Sequence, residues 1–290
     1  MAIKLYTKQY AGQLPDIFEK RARFMRVFGG QLQTIQGAEA DSDYLNIKIS
    51  DTDVVIQDYN TNENVAFGTG TGNSNRFGPR KEIKSTDLQV PFDTPLSIHE
   101  GIDRFTVNDI PEQVVAERLA LHAVAWAERA DTTFSEEISK NAHLALTGEL
   151  TEAGVTKIFN DARKAFVQNK VSQTVNKVAY VTSDVYNLLV DSELAKTDKN
   201  SSVNVDNGTL YRFKGFDLEE VEDDKFQGDE NVYFVADNVG QASVGIPVTR
   251  VIDSEDFAGT AIQGAGKLGK YIPEKNKKAI VKATLTAPAA

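Results

Sequence analysis

Apolar residues recur at intervals of three and four positions through the middle of the chain, and this spacing predicts one long helix over residues 109–147. Asp109 and Glu112 have the spacing of a capping box at its start, and Gly148 is a stop signal at its end. About 38 residues at 1.5 Å each make a rod of roughly 55 Å, far longer than the average globular helix. Such a rod favours an extended plate over a compact enzyme core. The predicted core residues of this helix are Leu119, Trp126, Phe134 and Ile138.

Before this helix, alternating apolar positions predict a long two-stranded arm over residues 44–98. The segment between the two strands, Gly68 to Asn75, consists mainly of Gly, Thr and Asn and contains no large apolar residue. It predicts a flexible tip. Because an isolated hairpin is only marginally stable in water, we expect neighbouring subunits to hold the arm. The candidate inter-subunit contacts are Gly68, Gly70, Gly72, Asn75, Arg76, Arg80, Lys81 and Lys84.

After the long helix, predicted helices and strands alternate and indicate a mixed lobe of the α+β class. A second helix begins at Thr151, and Ser183 is expected to cap a third helix directly after a buried strand at 178–182. The stretch that contains Gly266 and Gly269 predicts a flexible turn. Further strands are predicted at 211–221, 232–236, 248–252 and 280–285.

Composition narrows the classes of protein that fit. The chain has 290 residues, of which 41% are apolar, enough to bury a sizeable core. The absence of cysteine excludes disulfides, thiolate metal sites and a cysteine nucleophile. No apolar run is long enough to predict a membrane-spanning helix. A formal net charge of -10 argues against a protein whose main task is to bind phosphate backbones.

The N-terminal region departs from this acidic average, because residues 1–37 carry six basic and two acidic side chains. A basic amphipathic helix is predicted over residues 15–28, either facing DNA or an acidic partner, or simply forming a solvated face. The candidates for a basic arm directed toward an interior are Lys20, Arg21, Arg23 and Arg26.

No group of residues predicts catalysis, a metal site or a cofactor site. The glycine tract at 68–72 lacks the Lys-Ser/Thr ending of a phosphate-binding loop. His122 and His143 are separated by about 30 Å on the predicted helix, and we expect His122 to be a hydrogen-bonded core or edge histidine. His99 and Glu100 are adjacent on a predicted strand and so point to opposite faces. The acidic cluster at 217–224 predicts a solvated loop or an inter-subunit edge, with a divalent cation site as the alternative.

Two stretches of the mixed lobe, and the order of the parts, carry a resemblance. Val178-Ala-Tyr-Val-Thr-Ser-Asp-Val-Tyr-Asn-Leu-Leu189 is a strand followed by a helix, and Gly208-Thr-Leu-Tyr with Phe213-Lys-Gly-Phe-Asp-Leu218 forms the next strand. These segments and the arm, helix and lobe before and after them resemble the major capsid proteins of tailed bacteriophages, the Hong Kong 97 fold. The segments Met1–Tyr10 and Phe24–Gly30 resemble the corresponding segments of capsid proteins of phages of Gram-positive hosts.

The resemblance implies an α+β, Hong Kong 97-like major capsid fold with five segments. It implies a subunit that assembles as hexamers and pentamers into an icosahedral shell around double-stranded DNA, without catalysis, cofactor or membrane. It also implies a portal protein as partner, and the immediate start of the arm suggests a separate scaffolding protein. The expected location is the virion, with assembly in the host cytoplasm. The segments are an N-terminal arm (1–43), an extended loop (44–98), a peripheral domain with the spine helix (99–150), an axial domain (151–247) and returning strands of the peripheral domain (248–290).

Two alternative functions remain open from the sequence. Encapsulin nanocompartments share this architecture but enclose enzymes instead of a genome. A cytosolic hydrolase or binding module that uses the carboxylates at 217–224 is the alternative from another class of protein.

Overall fold

The computed structural model describes most of the chain and divides it into two compact units. One unit is Asp43–Pro91, and the other contains the remaining residues. The described residues are 22–29, 33–35, 43–50, 54–63, 65–66, 75–106, 111–192, 203–204 and 209–288.

Fourteen strands and three α-helices are found in the described residues. The strands are β1 (Gln33–Ile35), β2 (Asp43–Ser50), β3 (Ser85–Pro91), β4 (Thr94–Asp103), β5 (Leu144–Glu149), β6 (Lys177–Val181), β7 (Val203–Asn204), β8 (Thr209–Leu210), β9 (Arg212–Phe213), β10 (Phe216–Glu220), β11 (Val232–Ala236), β12 (Gln241–Asp253), β13 (Gly259–Tyr271) and β14 (Ile280–Thr286). The helices are α1 (Pro111–Lys140), α2 (Glu152–Gln168) and α3 (Ser183–Asp191), and 3-10 turns lie at Arg23–Phe28, Asp223–Lys225 and Glu274–Ala279.

The larger unit contains a four-stranded sheet in the order β1-β12-β13-β4 and a six-stranded sheet in the order β5-β14-β11-β6-β10-β9. In the six-stranded sheet, β11 is antiparallel to β6 and β14, whereas β10 is parallel to β6 and β5 is parallel to β14. The Asp43–Pro91 unit contains the antiparallel pair of β2 and β3.

Helix α1 packs against elements of both sheets of the larger unit. At the middle of the helix, Trp126 is buried against β13, where a Cβ on Gly266 would lie only 3.1 Å from the Trp126 ring. In its second half, Ser139 Oγ donates a hydrogen bond of 2.9 Å to Glu230, the residue two positions before β11. The helix is therefore the spine that the sequence predicted, and all four of its predicted core residues are buried.

The end of the spine helix differs from the sequence prediction, because α1 stops at Lys140 and not at residue 147. Residues 144–149 form strand β5, which pairs in parallel with β14. His143 consequently lies outside the helix, and Gly148 is a strand residue packed near Ile158 and Leu285. At 1.5 Å per residue, the 30-residue helix is about 45 Å long. The predicted N-cap Asp109 lies outside the described residues.

The core of the six-stranded sheet is aromatic. The ring of Phe159, on α2, meets the ring of Phe234 on β11 edge to face at 4.8 Å, and Phe216 on β10 lies 5.0 Å from Phe234. Helix α2 starts where the sequence predicted, and Thr151 is its N-cap, since the Thr151 side chain accepts a hydrogen bond from Gly154 N–H at 3.1 Å. The apolar face of α2 is buried and consists of Val155, Ile158, Phe159, Ala162, Ala165 and Phe166.

Three smaller expectations require correction. Ser183 is the first residue of α3 and not its cap, and its hydroxyl donates to Glu220 at 2.6 Å. The stretch around Gly266 and Gly269 is the long strand β13 and not a flexible turn. The sheets also divide two predicted segments. Residues 94–98 of the predicted arm belong to β4 of the larger unit, and β14 of the returning segment joins the six-stranded sheet.

Candidate assembly surfaces

Several large apolar side chains are exposed to solvent among the described residues of the Asp43–Pro91 unit. Among the described residues of this unit, Val54 is 93% exposed, Ile56 95%, Phe77 75% and Ile83 79%. The residues that flank these side chains form no regular secondary structure at 54–60 and 80–84. Scattered apolar residues are normal on a surface, but several in one small unit indicate a surface that binds another protein.

Short-range contacts give this surface a defined shape. The rings of Tyr59 and Phe77 meet edge to face at 5.2 Å, and the Asn60 amide donates to the Arg76 carbonyl at 2.9 Å. The side-chain amide of Gln57 donates to the carbonyl of Pro79 at 3.1 Å. Residues 57–60 and 76–79 therefore lie side by side although neither forms a strand.

The predicted contact residues of the arm are placed as follows. The Asn75 side chain accepts a hydrogen bond from Phe77 N–H at 3.0 Å, and Arg76 Nε donates to the Val65 carbonyl at 3.1 Å. Arg80 and Lys81 are exposed. Lys84 lies 3.8 Å from Glu82. Gly68, Gly70 and Gly72 lie outside the described residues.

The N-terminal segment Arg23–Phe28 is a buried 3-10 turn and not part of an amphipathic α-helix. The Asp131 carboxylate on α1 accepts hydrogen bonds from the N–H groups of Arg23 and Phe24, at 2.8 and 3.2 Å. Gly29 follows with a left-handed φ of 98°. This segment is therefore fastened to the spine helix through its own backbone.

The basic candidates of this segment make ion pairs within the chain. Arg26 lies 2.8 Å from Asp217 and 2.6 Å from Asp237, and Arg23 lies 3.6 Å from Glu222. Two of the arginines proposed for an interior-facing arm thus join the N-terminal segment to β10 and to the residues that follow β10 and β11. Lys20 and Arg21 lie outside the described residues.

The acidic cluster at 217–224 is consequently part of the subunit's own structure. Asp217 is held by Arg26 and Arg212, and Glu219 is half-buried near Arg23 and Arg26. Burial raises the pKa of Glu219 to about 7, although Arg23 and Arg26 oppose the shift. Burial likewise raises the pKa of Asp131 to about 6. Within the described part of the chain, no group of three or more His, Cys, Asp or Glu residues could hold a metal ion.

A second charged network joins β4 to the spine helix. The Arg118 guanidinium donates to both carboxylate oxygens of Glu100, and His122 Nε2 lies 2.8 Å from the same carboxylate. The hydrogen bonds from Arg118 lower the pKa of Glu100 to about 2. His122 is buried and hydrogen-bonded, as predicted, and His99 points away to Gln263.

Sequence reasoning missed two of these features. Asp131 was not singled out, although a carboxylate between Ala127 and Phe134 on an apolar helix face indicates a specific buried partner. The exposed apolar residues of the arm were read as strand faces, because alternation alone does not tell whether a face is covered. Of the helices in the described ranges, none has the length and apolarity that a membrane crossing requires.

Comparisons with known proteins give a consistent result for the fold. No protein-family model and no curated protein sequence matches the chain. Among solved structures, a capsid chain of cyanophage P-SCSP1u matches with a TM-score of 0.64 and 10% identity, over 92% of this chain and 89% of that chain. A chain of the mature capsid of bacteriophage PhiM1 matches with a TM-score of 0.62 and 12% identity, over 89% and 86%.

A chain from Mycobacterium phage Che8 matches with a TM-score of 0.60 and 17% identity, over 83% of this chain and 84% of that chain. These likenesses extend over most of both chains in each pair, so they concern the whole architecture and not one shared motif. The chain therefore has the fold of phage capsid proteins, the α+β Hong Kong 97-like fold.

Proposed function

We propose that this chain is a major capsid protein, which assembles as hexamers and pentamers into an icosahedral shell around the double-stranded DNA of a phage. The observation that carries the proposal is the match of 89% and 92% of the chain to two phage capsid structures, at TM-scores of 0.62 and 0.64. In this role the protein is structural and performs no catalysis. Its location is the virion.

The exposed surface of the Asp43–Pro91 unit supports self-association. Side chains such as Ile56 and Phe77 leave large apolar areas in water, and covering them with another subunit would be favourable at about 25 cal/mol per Å². Every copy in a shell carries the same arm, so each copy both offers this surface and covers that of a neighbour. We assign residues 44–91 of the proposed extended loop, with its candidate contacts between 68 and 84, to this unit.

The larger unit supports the complementary requirement, a subunit that keeps its shape while neighbours bind it. The spine helix is fixed to β4 through Glu100 and Arg118, and to the N-terminal segment through Asp131. We assign α1 and the four-stranded sheet to the peripheral domain, and α2, α3 and the six-stranded sheet to the axial domain. A separate scaffolding protein, a portal protein, assembly in the host cytoplasm and a Gram-positive host complete the proposal.

The test is assembly of the purified full chain, followed by sedimentation and negative-stain microscopy. The proposal predicts closed shells or ring-shaped capsomers, from the protein alone or with the phage's scaffolding protein. A stable monomer under all of these conditions would sink the proposal. Nucleic acid in particles recovered from infected cells is the predicted content, whereas enzyme cargo would favour a nanocompartment.

Deletion of residues 68–75 separates folding from assembly. The deletion is expected to leave the thermal unfolding of the subunit unchanged and to abolish closed shells, because only the clasp between neighbours is shortened. Normal shells from the deleted chain would refute the clasp while leaving the capsid role intact.

A further inference from the structure

A basic depression lies at the end of the spine helix, in a protein whose overall charge is -10. Four lysines and one glutamate line an open cavity of about 500 Å³, together with His143. The lysines are Lys140, Lys275, Lys277 and Lys278. Lys277 pairs with Glu274 in the same turn, so the depression keeps a net positive charge. Neither the predicted basic arm nor the predicted loop contacts include any of these residues.

Hydrogen bonds to backbone carbonyls hold the walls of this depression in place. The wall after α1 is fixed because His143 N–H donates to the Ile280 carbonyl at 3.0 Å. The wall at Glu274–Ala279 is fixed at two points. The side-chain amide of Asn276 donates to the Val239 carbonyl at 2.7 Å, and the side-chain amide of Asn169 donates to the Lys278 carbonyl at 2.9 Å. Exposed ammonium groups are therefore carried on a rigid base, with Lys140 on one wall and Lys278 on the other.

The composition of the depression favours a nucleic-acid backbone over a protein partner. Protein interfaces are depleted in lysine at their centre and enriched in aromatic and apolar side chains. Here His143 carries the only aromatic ring of the lining, and its only apolar member, Ala142, is half-buried. Lysines act on phosphates as point charges without demanding a particular sequence, which suits sequence-independent contact with a duplex.

We propose that this depression, centred on Lys140 and Lys278, is a contact site for the phosphate backbone of double-stranded DNA. The proposal rests on the proposed function in so far as it assigns this surface to the packaged genome. The site is weak in a single subunit, because the acidic remainder of the chain repels DNA. Repetition over the copies of a shell multiplies the contact.

The test measures binding of a 30-base-pair duplex to the unassembled full chain by fluorescence anisotropy over a range of salt concentrations. The variant Lys140→Gln/Lys278→Gln removes two charges from the depression. The matched control Lys157→Gln/Lys164→Gln removes two exposed lysines from α2. The depression variant is expected to raise the Kd about tenfold at low salt and to reduce the slope of log K against log salt by about 2. The control is expected to stay within about twofold of the parent.

Equal weakening by both variants, or no binding by the parent chain at 50 mM salt, would overturn the proposal. The proposal would also be overturned if poly-glutamate bound the parent chain as tightly as the duplex does and bound the depression variant more weakly. That result would assign the site to an acidic protein. Shell formation by each variant is recorded separately. If shells form but the depression variant binds the duplex as well as the control does, only the DNA-contact proposal is refuted. If the depression variant binds the duplex more weakly but no chain forms shells, only the capsid role is refuted.

Discussion

In the six-stranded sheet every residue of β11 and all but the first of β6 are buried, whereas in the Asp43–Pro91 unit Ile56 and Phe77 are mostly exposed. The first region has its own core, so its burial is completed when one chain folds. Among its described residues the second contains one two-stranded ladder, with half-buried residues such as Ile47 and Leu88, and a ladder of two strands is only marginally stable alone. The contrast teaches that the apolar residues of this chain have two roles. Those of the six-stranded sheet stabilise the folded subunit, and those exposed in the Asp43–Pro91 unit are available for association.

The largest expected effect comes from one phenylalanine changed in each region. Phe234→Ala opens a cavity beside Phe159 and Phe216 and is expected to lower the free energy of unfolding by about 3 to 5 kcal/mol. Phe77→Ala, the matched change in the arm, is expected to stay within about 0.5 kcal/mol of the parent. Denaturant unfolding of the unassembled subunit measures both. Similar losses at the two positions would remove the contrast between the regions.

A smaller loss is expected where the larger unit fastens its N-terminal segment. Asp131→Ala leaves the N–H groups of Arg23 and Phe24 without their acceptor in a buried place, at a cost of about 1 to 3 kcal/mol. Asp131→Asn keeps one acceptor oxygen and is the milder control. Thermal unfolding ranks the three chains. An alanine variant as stable as the parent would show that the segment is not held by this carboxylate.

The pH dependence of stability should have two windows of opposite sign. Burial raises the pKa of Asp131 to about 6 and that of Glu219 to about 7, so the folded state holds protons that the unfolded chain has lost. Their contribution is therefore full below about pH 4 and is lost as the pH rises through 6 to 7. Glu100, whose pKa the Arg118 hydrogen bonds lower to about 2, contributes stability that is lost as the pH falls from about 4.5 through 2.

Single substitutions assign each window. Glu219→Gln should flatten the decline of stability between pH 5 and 7 and leave the acid limb unchanged. Glu100→Gln should flatten the loss of stability below about pH 4.5 and leave the decline between pH 5 and 7 unchanged. Unfolding free energies measured across pH 2 to 8 decide the assignment, and a decline between pH 5 and 7 that is identical in the Glu219→Gln chain would contradict it.

The smallest effect on stability should accompany a large effect on assembly. Ile56→Ser and Ile83→Ser remove apolar area that the folded subunit does not bury, so the free energy of unfolding should change by less than about 0.5 kcal/mol. The yield of sedimenting particles should nevertheless fall, because neighbours lose that area. Val167→Ser, an exposed position on α2, serves as the control with the same chemistry. Full particle yield from the arm variants would place the clasp elsewhere.

Local sequence patterns predicted the helices and strands in which apolar residues occupy every position of the buried face. The spine helix, the start of α2 at Thr151 and the buried strand predicted at 178–182, which the structure has at Lys177–Val181, follow from spacing, capping chemistry and continuous apolar runs. The over-extension of the helix to residue 147 has a physical cause. Ala142 and Ala145 continue the three-residue spacing, but β5 forms because β14, more than 130 residues away in sequence, offers it a parallel partner.

The remaining features depend on partners distant in sequence. The glycines of β13 disfavour a strand locally, yet Gly266 leaves room where the ring of Trp126 approaches the sheet. The turn at Arg23–Phe28 is covered on one side by Phe134 of α1 and on another by Tyr180 of β6, which no amphipathic pattern encodes. The order of the parts predicted the fold, whereas the exposure of the apolar side chains of the arm is a property of the structure that no sequence pattern encodes.

Hydroxyl-radical labelling of the free subunit and of assembled particles tests the central claim most directly. The claim is that other copies of the chain cover the apolar surface of the arm. Tyr59 and Phe77 are predicted to be oxidised in the free subunit and protected in particles, while Trp126 is protected in both. Equal oxidation of Tyr59 and Phe77 in the two states, in preparations that microscopy shows to be closed shells, would contradict the account.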